Sequence, residues 1–343
     1  MGVDLRDIIE AREISWGEIS GKKVAIDAFN ALYQFLAVIR QQDGSPLMDS
    51  KGRVTSHLSG LFYRTVNLIE KGIRPIYVFD GKPPEVKRKE IEERELRKRE
   101  AMKKLLEAKE EGREEDVLKY AKQAMTLTSR MVEDAKKLLD AMGVPWIQAP
   151  GEGEAQAAYL CRKGEVWASV SQDYDSLLFG TPRLLRNITI SGRRKLPKKD
   201  VYVEIKPEII ELETVLKKLG IKRDQLILVG ILVGTDYNPG GVRGFGPKRA
   251  LEVVKIYKNV DNIKKVVKWD FDMEIEEIMN LFLCPKVTDD YKIEFKYPDK
   301  EKVKKILVDE YEFSEKRIDN ALERLDRALR GGAQVSLSRW FRC

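Results

Sequence analysis

The chain has one histidine, His57, and three cysteines, Cys161, Cys284 and Cys343, in 343 residues. A single imidazole excludes a histidine-rich metal centre and argues against a Ser-His-Asp hydrolase. His57 itself is expected in a packing or surface role. The cysteines lie far apart without C-x-x-C spacing, so they support neither a disulfide framework nor a zinc site. No run approaches the 18 or so uncharged apolar residues of a spanning helix. The opening MGVDLRDIIEARE has neither the basic flank nor the apolar stretch of a signal peptide, and Arg6 stands where a myristoylation signal needs Ser or Thr. A soluble intracellular protein is expected, with no membrane partner.

What is present is a core-forming 43% of hydrophobic residues, 35% of charged ones, and a net charge of +7 from 63 Lys and Arg against 56 Asp and Glu. The basic excess suggests a polyanionic partner. Against it stand seven carboxylates beside short strand-like or glycine-containing segments: Asp27, Asp80, Glu152, Glu154, Asp173, Asp175 and Asp236. Lys23-Val24-Ala25-Ile26 is an apolar run ending at Asp27, and Phe29, Leu32, Tyr33, Leu36 and Ile39 follow at helical spacing. Pro75 to Phe79 repeats the arrangement with Asp80 at its end. Val144 to Ile147 leads into PGEGEAQAAYLCRKG, where Glu152 and Glu154 open a helix, and Val166 to Val170 delivers Asp173 and Asp175. The alternation predicts an α/β fold with a mainly parallel central sheet and helices on both faces, and the acids fall beyond the carboxyl ends of its strands, where such folds bind ligands. Gathered carboxylates repel one another unless divalent metals neutralise them, so the set points to Mg²⁺ chemistry on phosphates.

Three further segments stand apart. Residues 82–130 are dominated by Lys, Arg and Glu, with few large apolar residues. They read as a charged helical excursion, either simply solvated or a cap that offers Lys87, Arg88, Arg94, Arg97 and Lys98 to a phosphate backbone. Residues 226–256 form a helix, a Gly/Pro-rich turn and a second helix. There Gly241, Gly244 and Gly246 let backbone amides approach a phosphate, beside Lys248 and Arg249. The nucleotide P-loop pattern G-x-x-x-x-G-K-[ST] is absent, which favours a helix-hairpin-helix type duplex grip. Near the end, Ile318, Leu322, Leu325 and Leu329 form a packing stripe. Gly331-Gly332 is then expected to release a flexible tail, residues 331–343, in which Gln334, Leu337, Trp340 and Phe341 fit a one-turn helix entering a partner's pocket. Residues 1–330 are expected to form a single core.

The blocks VAIDA, YVFDGKPP, GEGEAQAAYL, SQDYDSLLFG and GTDYNPGGVRGFG occur in the order and spacing of the flap endonucleases, structure-specific 5′ nucleases of DNA replication and repair. The chain resembles that family over essentially its whole length, and its archaeal members most. None of the seven acidic positions departs from the family's pattern. The resemblance implies that Asp27, Asp80, Glu152 and Glu154 serve mainly one Mg²⁺ and Asp173, Asp175 and Asp236 mainly another, with Mn²⁺ a possible substitute. It implies that Lys87 and Arg94 meet the scissile phosphate and that Tyr33 stacks on the base beside the cut. Arg40 and the segment through His57 and Leu58 would face the bent duplex and its 3′ flap. Gly244, Gly246, Lys248 and Arg249 would hold the downstream duplex, where the family's hairpin commonly also holds K⁺. The tail pattern from Gln334 to Phe341 implies binding to the PCNA sliding clamp, and the family's processed N-terminus approaches the active site near Gly2. A monomer in a prokaryotic cytoplasm is expected.

Two metals about 4 Å apart can activate water, screen the phosphoryl oxygens and assist the leaving 3′ oxygen without a side-chain nucleophile. Three other readings stay open: a clamp-recruited adaptor that binds junctions without cutting, a bubble- or junction-cutting relative, and a PIN-like RNA nuclease. The intact acids count against the first. The short cap favours the flap enzyme over the second. PIN-like domains are much shorter and lack hairpin and tail.

Overall fold

A computed structural model of the chain describes residues 2–41, 45–82, 88–189, 193–195 and 202–340. Nine strands occur among them: β1 (Arg12–Glu13), β2 (Lys23–Asp27), β3 (Arg74–Phe79), β4 (Trp146–Gln148), β5 (Ala168–Val170), β6 (Arg183–Arg186), β7 (Arg193–Lys195), β8 (Tyr202–Glu204) and β9 (Glu208–Glu211). Seven form one sheet in the order β1-β9-β6-β5-β2-β3-β4, and β7 pairs with β8 separately. The five strands from β6 to β4 run parallel, while β9 joins antiparallel to β6 and β1 antiparallel to β9. A mainly parallel sheet is therefore what the strand-helix alternation produces. The two antiparallel strands at its edge were not legible in that alternation.

β2 lies at the centre and is apolar on both faces, as a doubly covered parallel strand must be. Val24 and Ile26 point into a core shared with the helices Ala28–Val38, Ser56–Glu70 and Ser129–Met142. Ala25 points the other way, with Ile76 and Val78, towards the helix Gly153–Arg162. A third cluster joins the helices Leu212–Leu219, Arg223–Val233, Pro247–Tyr257 and Ile275–Leu283 beside β6 and β9. Ile318, Leu322 and Leu325 of the last helix are buried in the first cluster, with Leu329 packed at its rim, so the expected stripe is a packing face.

The charged excursion is a pair of helices, Arg88–Glu110 and Glu114–Gln123, which turn at Gly112 with a left-handed φ of 69°. Its few apolar residues are used internally. Ala101, Leu105 and Ala124 form a small core of their own, with Val117, Tyr120 and Ala121 against it. Arg40 and Tyr33 join this unit to the body through contacts with Ala121, Met125 and Lys98.

One boundary differs from the sequence reading. The last helix runs without interruption from Glu315 to Trp340, through Gly331-Gly332. Glycine in a helix interior costs only about 1 kcal/mol relative to alanine, and the backbone continues its local hydrogen bonding when good helix formers precede it. No described helix is long and apolar enough to cross a membrane.

Candidate active site

The chain leaves β2 for β3 and β4 on one side of it, then returns to β5 and β6 on the other. This reversal opens a crevice beyond the carboxyl ends of β2 and β5, the usual ligand position in open parallel sheets. Asp27 ends β2, Asp80 follows β3, Glu152 and Glu154 follow β4, and Asp173 and Asp175 follow β5. Asp236 comes from the turn after the helix Arg223–Val233 and is close enough to raise the pKa of Asp173. The topology thus gathers the seven acids of the sequence reading on one edge of the sheet.

Six of the seven have local support in the structure's hydrogen bonds. Asp27, 8% exposed, caps its helix by accepting the Asn30 amide at 3.0 Å. Asp80 accepts the Gly153 amide at 2.6 Å, and a side chain at Gly153 would strike that carboxylate. Glu154 accepts hydrogen bonds from the hydroxyls of Ser171 and Ser176. Asp173 accepts from the Asn30 amide group at 3.1 Å, and Asp175 accepts the Val3 backbone amide at 3.2 Å. Gly2 lies so close to Asp173 and Asp175 that a Cβ there would overlap both. Tyr237 donates to Glu152 at 2.6 Å.

Burial, then the charges of Asp80 and Asp173, push the Asp27 carboxyl well above its usual range. Burial, then Asp175, Asp27 and Asp173, does the same to Glu154. Asp173 is raised chiefly by burial and further by Asp236, against a lowering contribution from Arg186. Among the described residues no three acidic, histidine or cysteine side chains converge into one ready-made shell. In chemistry and charge the set fits hard divalent cations, which take carboxylate oxygen and lower the cost of keeping such groups ionised together.

Several of these partners have no sequence signal beyond ordinary composition: Ser171, Ser176, Tyr237, Arg186 and the Val3 amide. Only Asn30 was accessible in principle, since it stands three residues into a helix whose first carboxylate it helps to fix.

The expected phosphate-facing residues fall into different places. Tyr33, half-buried, receives a hydrogen bond from Lys98 of the cap at 3.3 Å. Gly244, Gly246, Lys248 and Arg249 are exposed on the hairpin before and into the helix Pro247–Tyr257, with Arg249 over the Phe245 ring. Gly241, with φ 59°, presses on the Val233 backbone, where a Cβ would collide. Lys87 lies outside the described residues, as does Phe341, and so do the side chains of Arg94, Gln334, Leu337 and Trp340.

Of the expectations for His57, the packing role is borne out, and a place at the surface or against a duplex is corrected. His57 is 1% exposed on the inward face of its helix and cannot touch a duplex or lie at the surface, because the apolar residues around it, Leu58, Leu61 and Phe62, carry that face into the core. Neither of its ring nitrogens has a partner among the described residues. The Arg40 guanidinium donates to the Ala37 carbonyl at 3.1 Å, to the Ala121 carbonyl at 3.3 Å and to Met125 Sδ at 3.0 Å.

Residues 1–101 match the XPG N-terminal domain and residues 143–236 the XPG I-region. The chain is 58% identical to flap endonuclease 1 of Staphylothermus marinus, over 99% of this chain and 100% of that protein. Its fold resembles that of flap endonuclease-1 from Methanococcus jannaschii, with a TM-score of 0.77 and 45% identity over 96% of this chain and 99% of that one. It also resembles the catalytic core of Rad2 in complex with a DNA substrate, with a TM-score of 0.71 and 25% identity over 95% and 100% of the two chains.

Proposed function

This chain belongs to the flap endonuclease family in its archaeal form, and we propose that its acidic crevice cuts DNA near the base of 5′ flaps by metal-assisted hydrolysis. It is a 5′ flap endonuclease, a phosphodiester hydrolase that binds branched DNA. The observation that carries the site assignment is the meeting of seven carboxylates from five segments at the switch point between β2 and β5.

In this reading Asp27, Asp80, Glu152 and Glu154 hold mainly one Mg²⁺, and Asp173, Asp175 and Asp236 mainly a second, with Mn²⁺ able to replace either. Bound there, the two ions supply Lewis acidity: activation of water near neutral pH and screening of the scissile phosphate's charge. Water adds to phosphorus, the P–O3′ bond breaks, and the products are a 3′-hydroxyl and a 5′-phosphate. The protein's own share is placement. Tyr33 presents its ring to the base beside the cut, and Lys87 and Arg94 bring positive charge to the transferring group, where a well-placed donor is worth several kcal/mol. Backbone amides near Gly244 and Gly246, with Lys248 and Arg249, hold the downstream duplex, with K⁺ as a further ligand of that hairpin.

The same site removes nucleotides from 5′ ends as an exonuclease, in Okazaki fragment maturation and repair. Gln334, Leu337, Trp340 and Phe341 dock on PCNA, and the protein works as a monomer in the prokaryotic cytoplasm. The deciding experiment presents one end-labelled strand as a double flap, a bubble, a four-way junction and plain duplex, each with Mg²⁺ or EDTA. Fastest Mg²⁺-dependent cleavage at the flap base is expected. Equal rates on all four substrates, or cleavage in EDTA, would remove this reading. Loss of clamp pull-down on truncation after Arg330 tests the tail separately.

A further inference from the structure

Glu152 occupies the N-cap position of the helix Gly153–Arg162, with extended φ and ψ of −76° and 135°, yet its side chain makes no capping hydrogen bond. The first amide of that helix is satisfied elsewhere, by Asp80 at 2.6 Å. The carboxylate is instead met by the hydroxyl of Tyr237, 85 residues away, at 2.6 Å. A purely structural cap would have turned the side chain onto its own helix.

The position of Tyr237 is in turn heavily determined. Its amide donates to Thr235 Oγ1 at 3.2 Å, and that hydroxyl donates to Asn238 Oδ1 at 2.8 Å. The Asn238 amide group donates to the Ile231 carbonyl at 2.7 Å, and Thr235 and Asn238 are almost wholly buried. The Tyr237 ring packs edge-on against Phe282, with centroids 5.5 Å apart. The turn that delivers Asp236 therefore also delivers a fixed hydroxyl to the Glu152 carboxylate.

We propose that Tyr237 is a positioning residue for the acidic site: its hydroxyl orients Glu152 towards a divalent cation, so the hairpin contributes an anchor as well as Asp236. The proposal rests on the metal reading of the site given above. Partners that orient a metal-binding carboxylate typically contribute about 10–100-fold in metal affinity or activity.

Tyr237→Phe tests it, because the ring and its contact with Phe282 stay while only the hydroxyl leaves. The full chain is titrated with Mn²⁺ by electron paramagnetic resonance, melted in EDTA, and assayed for single-turnover cleavage of a double flap across Mg²⁺ concentrations. Mn²⁺ affinity is expected to fall about 10-fold or more and the Mg²⁺ midpoint to rise in step, while the EDTA melting temperature and flap-DNA affinity hold. In a Glu152→Ala background the same change should add nothing. Wild-type Mn²⁺ affinity and Mg²⁺ midpoint in Tyr237→Phe would overturn the proposal alone, as would a lowered EDTA melting temperature with unchanged metal affinity. Absence of Mn²⁺ binding in the wild-type chain would overturn the metal reading and this proposal together.

Discussion

The guanidinium of Arg40 reaches the carbonyl of Ala121, 81 residues away, and so pins the exit of the cap's second helix to the end of Ala28–Val38. The same residue bridges to Pro46 through its backbone, at the start of the segment expected to face the bent duplex. Removing it should loosen the cap. A charge-assisted hydrogen bond is worth roughly 1.5–3 kcal/mol, so Arg40→Ala should speed amide exchange in 114–124 by about ten-fold or more and leave the sheet unchanged. Unaltered exchange in the cap would show that the contact does not hold it.

Asp173 sits where the β5 end meets Asn30, in range of Asp236. Asp173→Ala should nearly abolish cleavage, by about 10³-fold or more, while flap-DNA affinity changes little. Removing a buried, repelling carboxylate should also leave the EDTA melting temperature the same or higher. Parallel loss of binding and cleavage would count against a metal role.

Lys87 and Arg94 are proposed to act on the transferring phosphate rather than on affinity. Lys87→Ala and Arg94→Ala should each lower the single-turnover rate by about 10²-fold, with dissociation constants within a few-fold of wild type. Unchanged rates in both variants would move these residues out of the reaction.

His57 yields a pH prediction. Burial pushes its pKa down to about 4, and the ordinary value of about 6.5 holds in the unfolded chain. The neutral ring is the form the fold accepts, so this stability is present above pH 6.5 and lost as pH falls towards 4, when the unfolded chain takes the proton. The full swing is about 3 kcal/mol. His57→Leu should match or exceed the wild type at pH 7, since two unpartnered buried nitrogens disappear. Its advantage in urea should widen between pH 6.5 and 4; a constant difference would contradict the assignment.

Strand-carboxylate repeats, written in Val24 to Asp27, Ile76 to Asp80 and Ala168 to Asp173, depend on local alternation and short apolar runs, which is why reaction chemistry and sheet class were legible in the chain. So were the cap's helical character and the stripe Ile318-Leu322-Leu325, because periodicity is a local property. By itself the sequence determined the family's motif blocks and the kind of element on which each of the seven carboxylates stands. Tertiary structure decided what each one faces. It turned His57 inward, gave Arg40 to two helix ends, added β9 and β1 antiparallel to the sheet, and set the Tyr237 hydroxyl on Glu152. These outcomes depend on contacts between residues dozens to hundreds apart, whose free energy is settled only when the whole core packs, and no short window of sequence contains it.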